Sequence, residues 1–409
     1  MRLNEALRKF EKTGLGTNPE ETIIITDEPK YPQYLVFSGE NDKEKYRTNE
    51  VHGQGISKNS QSAKVKAYGE YLERLAIENP QKEYLSKPRK FNPGKDVRPS
   101  LFRNYSSEQI NIEEFENKAD NEIYRWYPAK NLSTGEEVNL PAQLIYINPE
   151  FNKEFPIRLE RITTGTALGF KGTGRARKEG LLESIERDSC IGAYLQAKEL
   201  PLIENLPKNI EKTKEYLERY QLEPYVFDAT SDLEIPTALT VTVDKSNMGQ
   251  AINVGSDADL NYKDAIERSI MESIQCRRTG RILKEIECPE RLPKENEINS
   301  LDNRFFYWFG NERKNDLPFW LGSTKKINYK KLNKKPIGID EIVNSLDKRG
   351  FHVFEADISL PEMEKEGIEV KKVIIPELHP LYLDENAKYL YSKHYGEIKE
   401  KNLKPHPMT

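Results

Sequence analysis

The sequence predicts an α+β fold with mixed sheets and helices. Two observations carry this: helical and β-rich signals follow one another in irregular order rather than as a clean βαβ alternation, and several strand signals stand next to each other. Aromatic residues, 10% of 409 with 21 Tyr and 15 Phe, supply core material that disordered chains lack.

Along the chain, residues 2–12 read as a charged amphipathic helix, and TIIIT at 22–26 and YLVF at 34–37 read as strands. A helix is expected over 62–78. The polar, Pro-rich stretch 80–120 reads as a linker or a long surface insertion. LPAQLIYI at 140–147 reads as a strand. Helices over 176–199 and 208–221 precede a strand at 236–243 and a helix at 261–284. A helix at 339–349 and strands at 351–359 and 370–375 close the pattern. One domain over 1–409 is expected, with 1–50 its least marked part.

Lys and Arg number 63 against 67 Asp and Glu, a net charge of −4, which argues against nucleic-acid binding by bulk charge. No apolar run approaches the ~18 residues of a membrane span, and the N-terminus has no apolar leader core, so the chain reads as cytoplasmic. Cys190, Cys276 and Cys288 form no CxxC pair, and His52, His352, His379, His394 and His406 form no HxxxH. A reduced compartment and no zinc site of soft ligands are expected.

The informative feature is an echo between three helices. Helix 62–78 carries Glu70-Tyr-Leu-Glu73-Arg74, helix 176–199 carries Glu183-Ser-Ile-Glu186-Arg187, and helix 261–284 carries Arg268-Ser-Ile-Met-Glu272-Ser-Ile-Gln275. Carboxylates at i and i+3 share one side of a helix. In helix 176–199 the apolar stripe is Leu182, Ile185, Ser189 and Ala193, and Glu186 falls within it, with Glu183 at its edge beside Cys190. An unpaired Glu pointing inward is costly, so a solvated face does not account for it. In helix 62–78 the core stripe is Val65, Tyr68, Leu72 and Ala76, while Lys66, Glu70 and Glu73 share another face with Ile77. In the third helix Arg268, Glu272 and Gln275 lie away from Ile266, Ile270 and Ile274, an arrangement that an exposed ion pair explains equally well.

Clustered carboxylates repel unless a cation lies between them, and an all-oxygen set points to Mg²⁺, Mn²⁺ or Ca²⁺. Mg²⁺ favours a few carboxylates plus substrate phosphates, so a nucleoside triphosphate is its natural companion. The arginines are suited to phosphoryl oxygens. Upstream of the second copy, Thr163-Thr-Gly-Thr-Ala-Leu-Gly169 and Phe-Lys-Gly-Thr-Gly174 place glycines before a helix, which suits backbone approach to a phosphate or nucleoside, although no GxxxxGK[ST] is present.

These motifs resemble the YcaO family. The resembling residues are His52-Gly-Gln-Gly55 with Glu70, Glu73 and Arg74; Gly165-Thr-Ala-Leu-Gly169 with Glu183, Glu186, Arg187 and Asp188; and Val254-Gly255-Ser256 with Arg268, Glu272 and Gln275. The chain ends Pro405-His-Pro407-Met-Thr409, close to the family's Pro-rich C-terminus. The resemblance spans about residues 50–409, with the motifs in family order. It implies an α+β fold with ATP in a cleft between helices, Glu70, Glu73, Glu183 and Glu186 as Mg²⁺ ligands, and Lys66, Arg74, Arg187, Arg268, Glu272 and Gln275 around the nucleotide, with Lys66 and Arg187 in catalysis. It further implies ATP-dependent activation of a peptide backbone amide, giving an azoline with a Cys, Ser or Thr side chain or a thioamide with external sulfide.

Three departures stand out. Lys66 replaces the usual small residue four positions before the first Glu, making a phosphate contact there cationic. Thr163-Thr164 replaces a Ser/Asn pair. The terminus ends Met408-Thr409 without a last proline. The length leaves no room for a fused peptide-recognition domain, and the composition resembles stand-alone archaeal members. This implies thioamidation of a glycine in methyl-coenzyme M reductase, with a sulfide or sulfur donor and a TfuA-type partner, no nucleic acid or membrane, and a homodimer left open. Rival readings are an azoline-forming cyclodehydratase, an ATP-dependent carboxylate–amine ligase and a non-catalytic nucleotide-binding scaffold.

Overall fold

The computed structural model describes residues 2–48, 51–147, 151, 163–332, 338–398 and 402–408. The first half contains α1 (Leu3–Lys12), β1 (Glu20–Glu21), β2 (Gln33–Phe37), α2 (Glu40–Lys45), β3 (His52–Ile56), α3 (Ser60–Glu78), β4 (Arg89–Lys90), α4 (Ile112–Asn121), β5 (Ile123–Tyr124), β6 (Trp126–Asn131), β7 (Glu137–Pro141) and β8 (Thr166–Phe170). Then come α5 (Arg175–Leu195), β9 (Leu202–Glu204), α6 (Lys208–Glu218), β10 (Leu222–Asp228), β11 (Thr237–Asp244), β12 (Ile252–Ala258) and α7 (Tyr262–Glu287). The last third adds α8 (Leu301–Tyr307), α9 (Pro318–Leu321), β13 (Lys326–Asn328), α10 (Ile339–Lys348), β14 (Phe354–Asp357), α11 (Pro361–Lys365), β15 (Ile368–Ile374), β16 (Tyr391–Ser392) and β17 (Gly396–Glu397).

Three sheets form the frame, in the orders β1-β2-β3, β7-β6-β14-β15-β8 and β12-β11-β10-β9-β13. Each ends in an edge strand, β3, β8 or β12, that is followed by a long helix packed against it. An open edge exposes peptide groups that must find partners, and here helix carboxylates supply them. Glycines permit the close packing. A Cβ at Gly53 would stand 2.1 Å from the Ala67 carbonyl on α3, and one at Gly255 would stand 2.2 Å from the Ser269 carbonyl on α7. Asn59 caps α3 by accepting from the Ser62 N–H, and Asn261 caps α7 by accepting from the Asp264 N–H.

The predicted fold class holds, and all six helices are present. The structure corrects several details. TIIIT at 22–26 is not a strand: pairing with β2 ends at the Thr22 N–H to Gln33 carbonyl bond, after which the chain turns through a Glu28 N–H to Ile25 carbonyl bond and Lys30 Nζ donates to the Ile25 and Thr26 carbonyls. In 140–147 the strand stops at Pro141, and the Ile145 and Tyr146 N–H groups both bond the Ala142 carbonyl in a tight helical turn. A short apolar run does not separate these outcomes by pattern alone. The helix expected to reach 199 ends at Leu195, with Ala197 at φ 48°. The stretch 80–120 is a surface insertion and not a linker, with Phe102 and Ala119 buried against the apolar cluster that contains Trp126 and Tyr71.

Among the described residues no helix is long and apolar enough to cross a membrane. The C-terminal Pro405, His406, Pro407 and Met408 are buried, held by Tyr194 Oη donating to the Pro405 carbonyl and Arg304 donating to that of His406. Thr409 lies outside the described residues.

Candidate functional site

The three helices that carry the sequence echo close a ring. On α3, Glu70 accepts from the Gln54 N–H of its own strand β3 at 2.9 Å, and Glu73 accepts from the Leu168 N–H of β8 at 2.6 Å. On α5, Glu183 accepts from the Gly165 N–H at the entry to β8 at 3.0 Å, and Glu186 accepts from the Ser256 hydroxyl of β12 at 2.6 Å. On α7, Glu272 accepts from the Ser256 N–H at 2.6 Å, and one turn beyond half-buried Gln275, Thr279 donates its hydroxyl to Gln54 of β3 at 2.8 Å. In each helix the first Glu binds its own strand. The side chains that follow reach the next strand of the ring.

Burial and mutual repulsion shape the carboxylates. Glu73 is pushed up to about 8 by burial, with Glu183 and Glu70 adding to the rise against the Leu168 N–H. Glu183 rises to about 7 through burial, Arg187 opposing and Glu186 reinforcing. Glu272 rises to about 8 through burial and Glu186, with Arg187 opposing. Glu186 is only 7% exposed, as its place in the apolar stripe implied.

The cations take distinct positions. Arg187 lies between helix neighbours, with Nε 3.7 Å from Glu183 and Nη1 3.8 Å from Glu186; burial opposes its charge, but these carboxylates raise its pKa. Arg74 pairs with Glu70 at 2.6 Å and donates to the His52 carbonyl. Arg268 is caged by Glu179 at 3.2 Å, Asp257 at 3.2 Å and Asp259. Lys66 opens to solvent through the cleft, yet the dense protein around its ammonium, and then Arg268, lower its pKa.

The donor set fits a hard divalent ion beside phosphates. Among the described residues no three ligating groups stand close enough to hold an ion as they are; each of these carboxylates accepts one bond from the frame through one oxygen. What the site does show is an excess of crowded oxygen ligands with pKa values raised toward 7–8, together with a buried Arg187 Nε that makes no hydrogen bond among the described residues. Such carboxylates gain from a cation, and oxygen-only ligation suits Mg²⁺.

The family described as "YcaO cyclodehydratase, ATP- and Mg²⁺-binding" matches residues 53–379, a span that contains all of this ring's strands and helices except His52, the first residue of β3. The chain belongs to the YcaO family. ATP and Mg²⁺ are accordingly its cofactors. Among solved structures it resembles a heterocyclase in complex with substrate and cofactor, at 18% identity and TM-score 0.74, covering 100% of this chain and 57% of that one. It therefore spans little more than half of that heterocyclase's length. A YcaO protein from Methanopyrus kandleri bound with AMPPCP and Mg²⁺ matches at 17% identity and TM-score 0.65, covering 92% of this chain and 91% of that one. The E. coli microcin synthetase McbBCD complex with pro-MccB17 bound matches at 17% identity and TM-score 0.62, covering 88% of each. No protein of curated function matches the sequence.

The structure brings together Glu70, Glu73, Glu183, Glu186, Arg187, Lys66, Arg268 and Glu272, and it pairs Arg74 with Glu70. Sequence reasoning quoted Ser256 within its third motif but gave it no role, and it bonds both Glu186 and Glu272; it missed Asp257 and Asp259, which hold Arg268. It also missed Lys372, a fully buried cation of β15 that bonds Thr166 at 3.2 Å and opposes the rise of Glu183. Glu179 could have been found, because it precedes Glu183 by the spacing that separates Lys66 from Glu70 and Arg268 from Glu272.

Proposed function

We propose that this YcaO protein uses ATP to activate a peptide backbone amide and that the product is a thioamide. The ring of paired carboxylates backed by Arg187, Arg268 and Lys66 is the observation that carries the reading. Glu70, Glu73, Glu183 and Glu186 would hold Mg²⁺, which when bound supplies charge neutralisation at the phosphates. Arg74, Arg268, Glu272 and Gln275 would surround the nucleotide, and Lys66 and Arg187 would meet the charge that develops on the transferred phosphoryl group.

Hydrosulfide adds to the amide carbonyl carbon, and the resulting oxyanion takes the γ-phosphoryl group as ADP leaves. The C–O bond then breaks, phosphate departs with the former amide oxygen, and the sulfhydryl proton is lost as C=S forms. The protein contributes orientation and electrostatic stabilisation.

Sulfide enters from outside in this reading. The chain has no CxxC relay, and the Cys190 thiol is buried with its pKa raised well above the ordinary value, first by burial and then by Glu186. The near end-to-end match to the M. kandleri YcaO protein, which was bound with AMPPCP and Mg²⁺, supports the ATP-dependent part of this reading. By resemblance, the substrate put forward is a glycine of methyl-coenzyme M reductase, with a TfuA-type partner as the route for sulfur, in the cytoplasm.

The heterocyclase match supports a second reading, azoline formation on Cys-, Ser- or Thr-containing peptides. Mass spectrometry of a candidate peptide incubated with ATP and Mg²⁺, with and without sulfide, separates the two. Thioamidation exchanges oxygen for sulfur and needs sulfide. Water loss without sulfide means cyclodehydration, and addition of a residue's mass means a ligase.

A further inference from the structure

The first turn of α5 is built against its own dipole. A helix N-terminus favours acidic residues and a capping side chain, yet α5 has neither: Gly174, in the left-handed region at φ 64°, precedes it, no side chain caps it, and the first residues are Arg175, Ala176, Arg177 and Lys178. Two of these cations are neutralised. Arg177 makes a two-pronged pair with Glu355 at 2.6 and 2.9 Å, and Lys178 approaches Glu179 and Asp259 at 3.5 and 3.4 Å. The Arg175 side chain is exposed and has no hydrogen bond or ion pair among the described residues.

The position of Arg175 is fixed by packing. A Cβ on Gly169 of β8 would stand 2.5 Å from the Ala176 nitrogen, so the start of α5 lies directly on β8, one residue from the Leu168 N–H that Glu73 takes. Arg175 thus borders the cleft on the side of α3, where the Lys66 ammonium also lacks a hydrogen bond or ion pair among the described residues. The two charges feel one another, since Arg175 and Arg268 both work against protonation of Lys66.

Two cations without an ion-pair partner among the described residues, beside a helix N-terminus with no side-chain cap, form an electrostatic arrangement that an anion completes. We propose that Arg175 is a nucleotide-binding residue that contacts the terminal phosphates of ATP, acting with Lys66 across the mouth of the cleft. This rests on the reading of the ring as the ATP site and adds a residue to it. Arg268, held by three carboxylates, would serve as a fixed charge, whereas Arg175, which makes no ion pair among the described residues and acts on Glu73 only by longer-range attraction, is left to meet the phosphates.

Calorimetric titration with AMPPCP plus Mg²⁺ and, separately, with AMP tests the proposal. In Arg175→Ala, AMPPCP should bind about tenfold or more weakly, the scale of a lost charge-assisted hydrogen bond, while AMP affinity and the melting temperature stay as in the wild type. Arg175→Lys should retain most of the affinity, and Arg175→Glu should lose more than Ala. If wild type binds AMPPCP and Arg175→Ala binds it equally well, or loses AMP to the same degree, the assignment of Arg175 is overturned. Failure of the wild type to bind AMPPCP would overturn the ATP site itself.

Discussion

Glu70 and Glu272 accept the same bond in two copies of one strand–helix unit: each carboxylate takes the peptide N–H found sixteen residues upstream, from Gln54 at 2.9 Å and from Ser256 at 2.6 Å. The likeness extends outward. Each strand begins its contact with a glycine, Gly53 or Gly255, each helix is capped by an asparagine, Asn59 or Asn261, and each carries a cation one turn before its Glu, Lys66 or Arg268. The carboxylates are therefore aimed by backbone on the frame, a form of preorganisation that side-chain packing alone would not give.

The close approach at Gly255 gives a direct test. An added Cβ would meet the Ser269 carbonyl at 2.2 Å and the Ser273 nitrogen at 2.4 Å, both helix backbone that has no room to shift. Gly255→Ala should lower stability by about 2–3 kcal/mol, as overpacking against backbone does. ATP turnover should fall with it, because Ser256 moves away from Glu186 and Glu272. Thermal melts and an ATPase assay check this, and an unchanged melting temperature would contradict the packing.

Glu186 is the carboxylate at which two units meet. Glu186→Ala removes the partner of the Ser256 hydroxyl and one of the carboxylates beside Arg187. ATP turnover should be abolished, with a stability loss of about 1–3 kcal/mol from the unsatisfied buried groups. Glu186→Gln keeps an acceptor for Ser256 and should recover most of the stability without recovering turnover. Full activity in either variant would remove Glu186 from the site.

The sequence made the helices and their inward carboxylates legible because a charge inside an apolar stripe violates the helical pattern, as Glu186 does. The closure of the ring was not legible. Its strands read HGQGI, TALGF and INVGSDA, whose glycines and polar residues weaken the β signal, and the bonds that count come from peptide N–H groups that carry no sequence mark. The cage around Arg268 escaped for the same reason, since Asp257 and Asp259 belong to the strand end that follows Ser256.

Arg268 distinguishes a site residue from a surface ion pair. An exposed helix pair is worth ~0.3–0.5 kcal/mol and leaves kinetics alone. Arg268 is half-buried among Glu179, Asp257 and Asp259, and its loss leaves three carboxylates without their shared cation. Arg268→Ala should therefore lower ATP turnover by about two to three orders of magnitude, the scale of a lost electrostatic contact in an active site, and should also lower the melting temperature. Arg268→Ala combined with Asp257→Asn should regain part of the stability and none of the turnover. Wild-type kinetics in the single variant would return Arg268 to the surface.

The raised carboxyls fix the sign of the pH dependence. In the unfolded chain these glutamates ionise near ~4.3, whereas in the metal-free folded chain Glu73 and Glu272 hold their protons to about 8 and Glu183 to about 7. Between those values the folded state binds more protons than the unfolded state, so these groups make folding less favourable as pH rises through the window, and their effect levels off above about 8. A divalent ion binds the ionised carboxylates and displaces their protons. The melting temperature in EDTA should thus fall from about pH 5 to pH 8, and the rise on adding Mg²⁺ should be largest at the alkaline end. Mg²⁺ binding in weak buffer at pH 7 should acidify the solution. The combined Glu73→Gln, Glu183→Gln and Glu272→Gln variant should flatten the EDTA series and abolish the Mg²⁺ response. A wild-type EDTA series as flat as the variant's would show that these carboxylates are not crowded against one another.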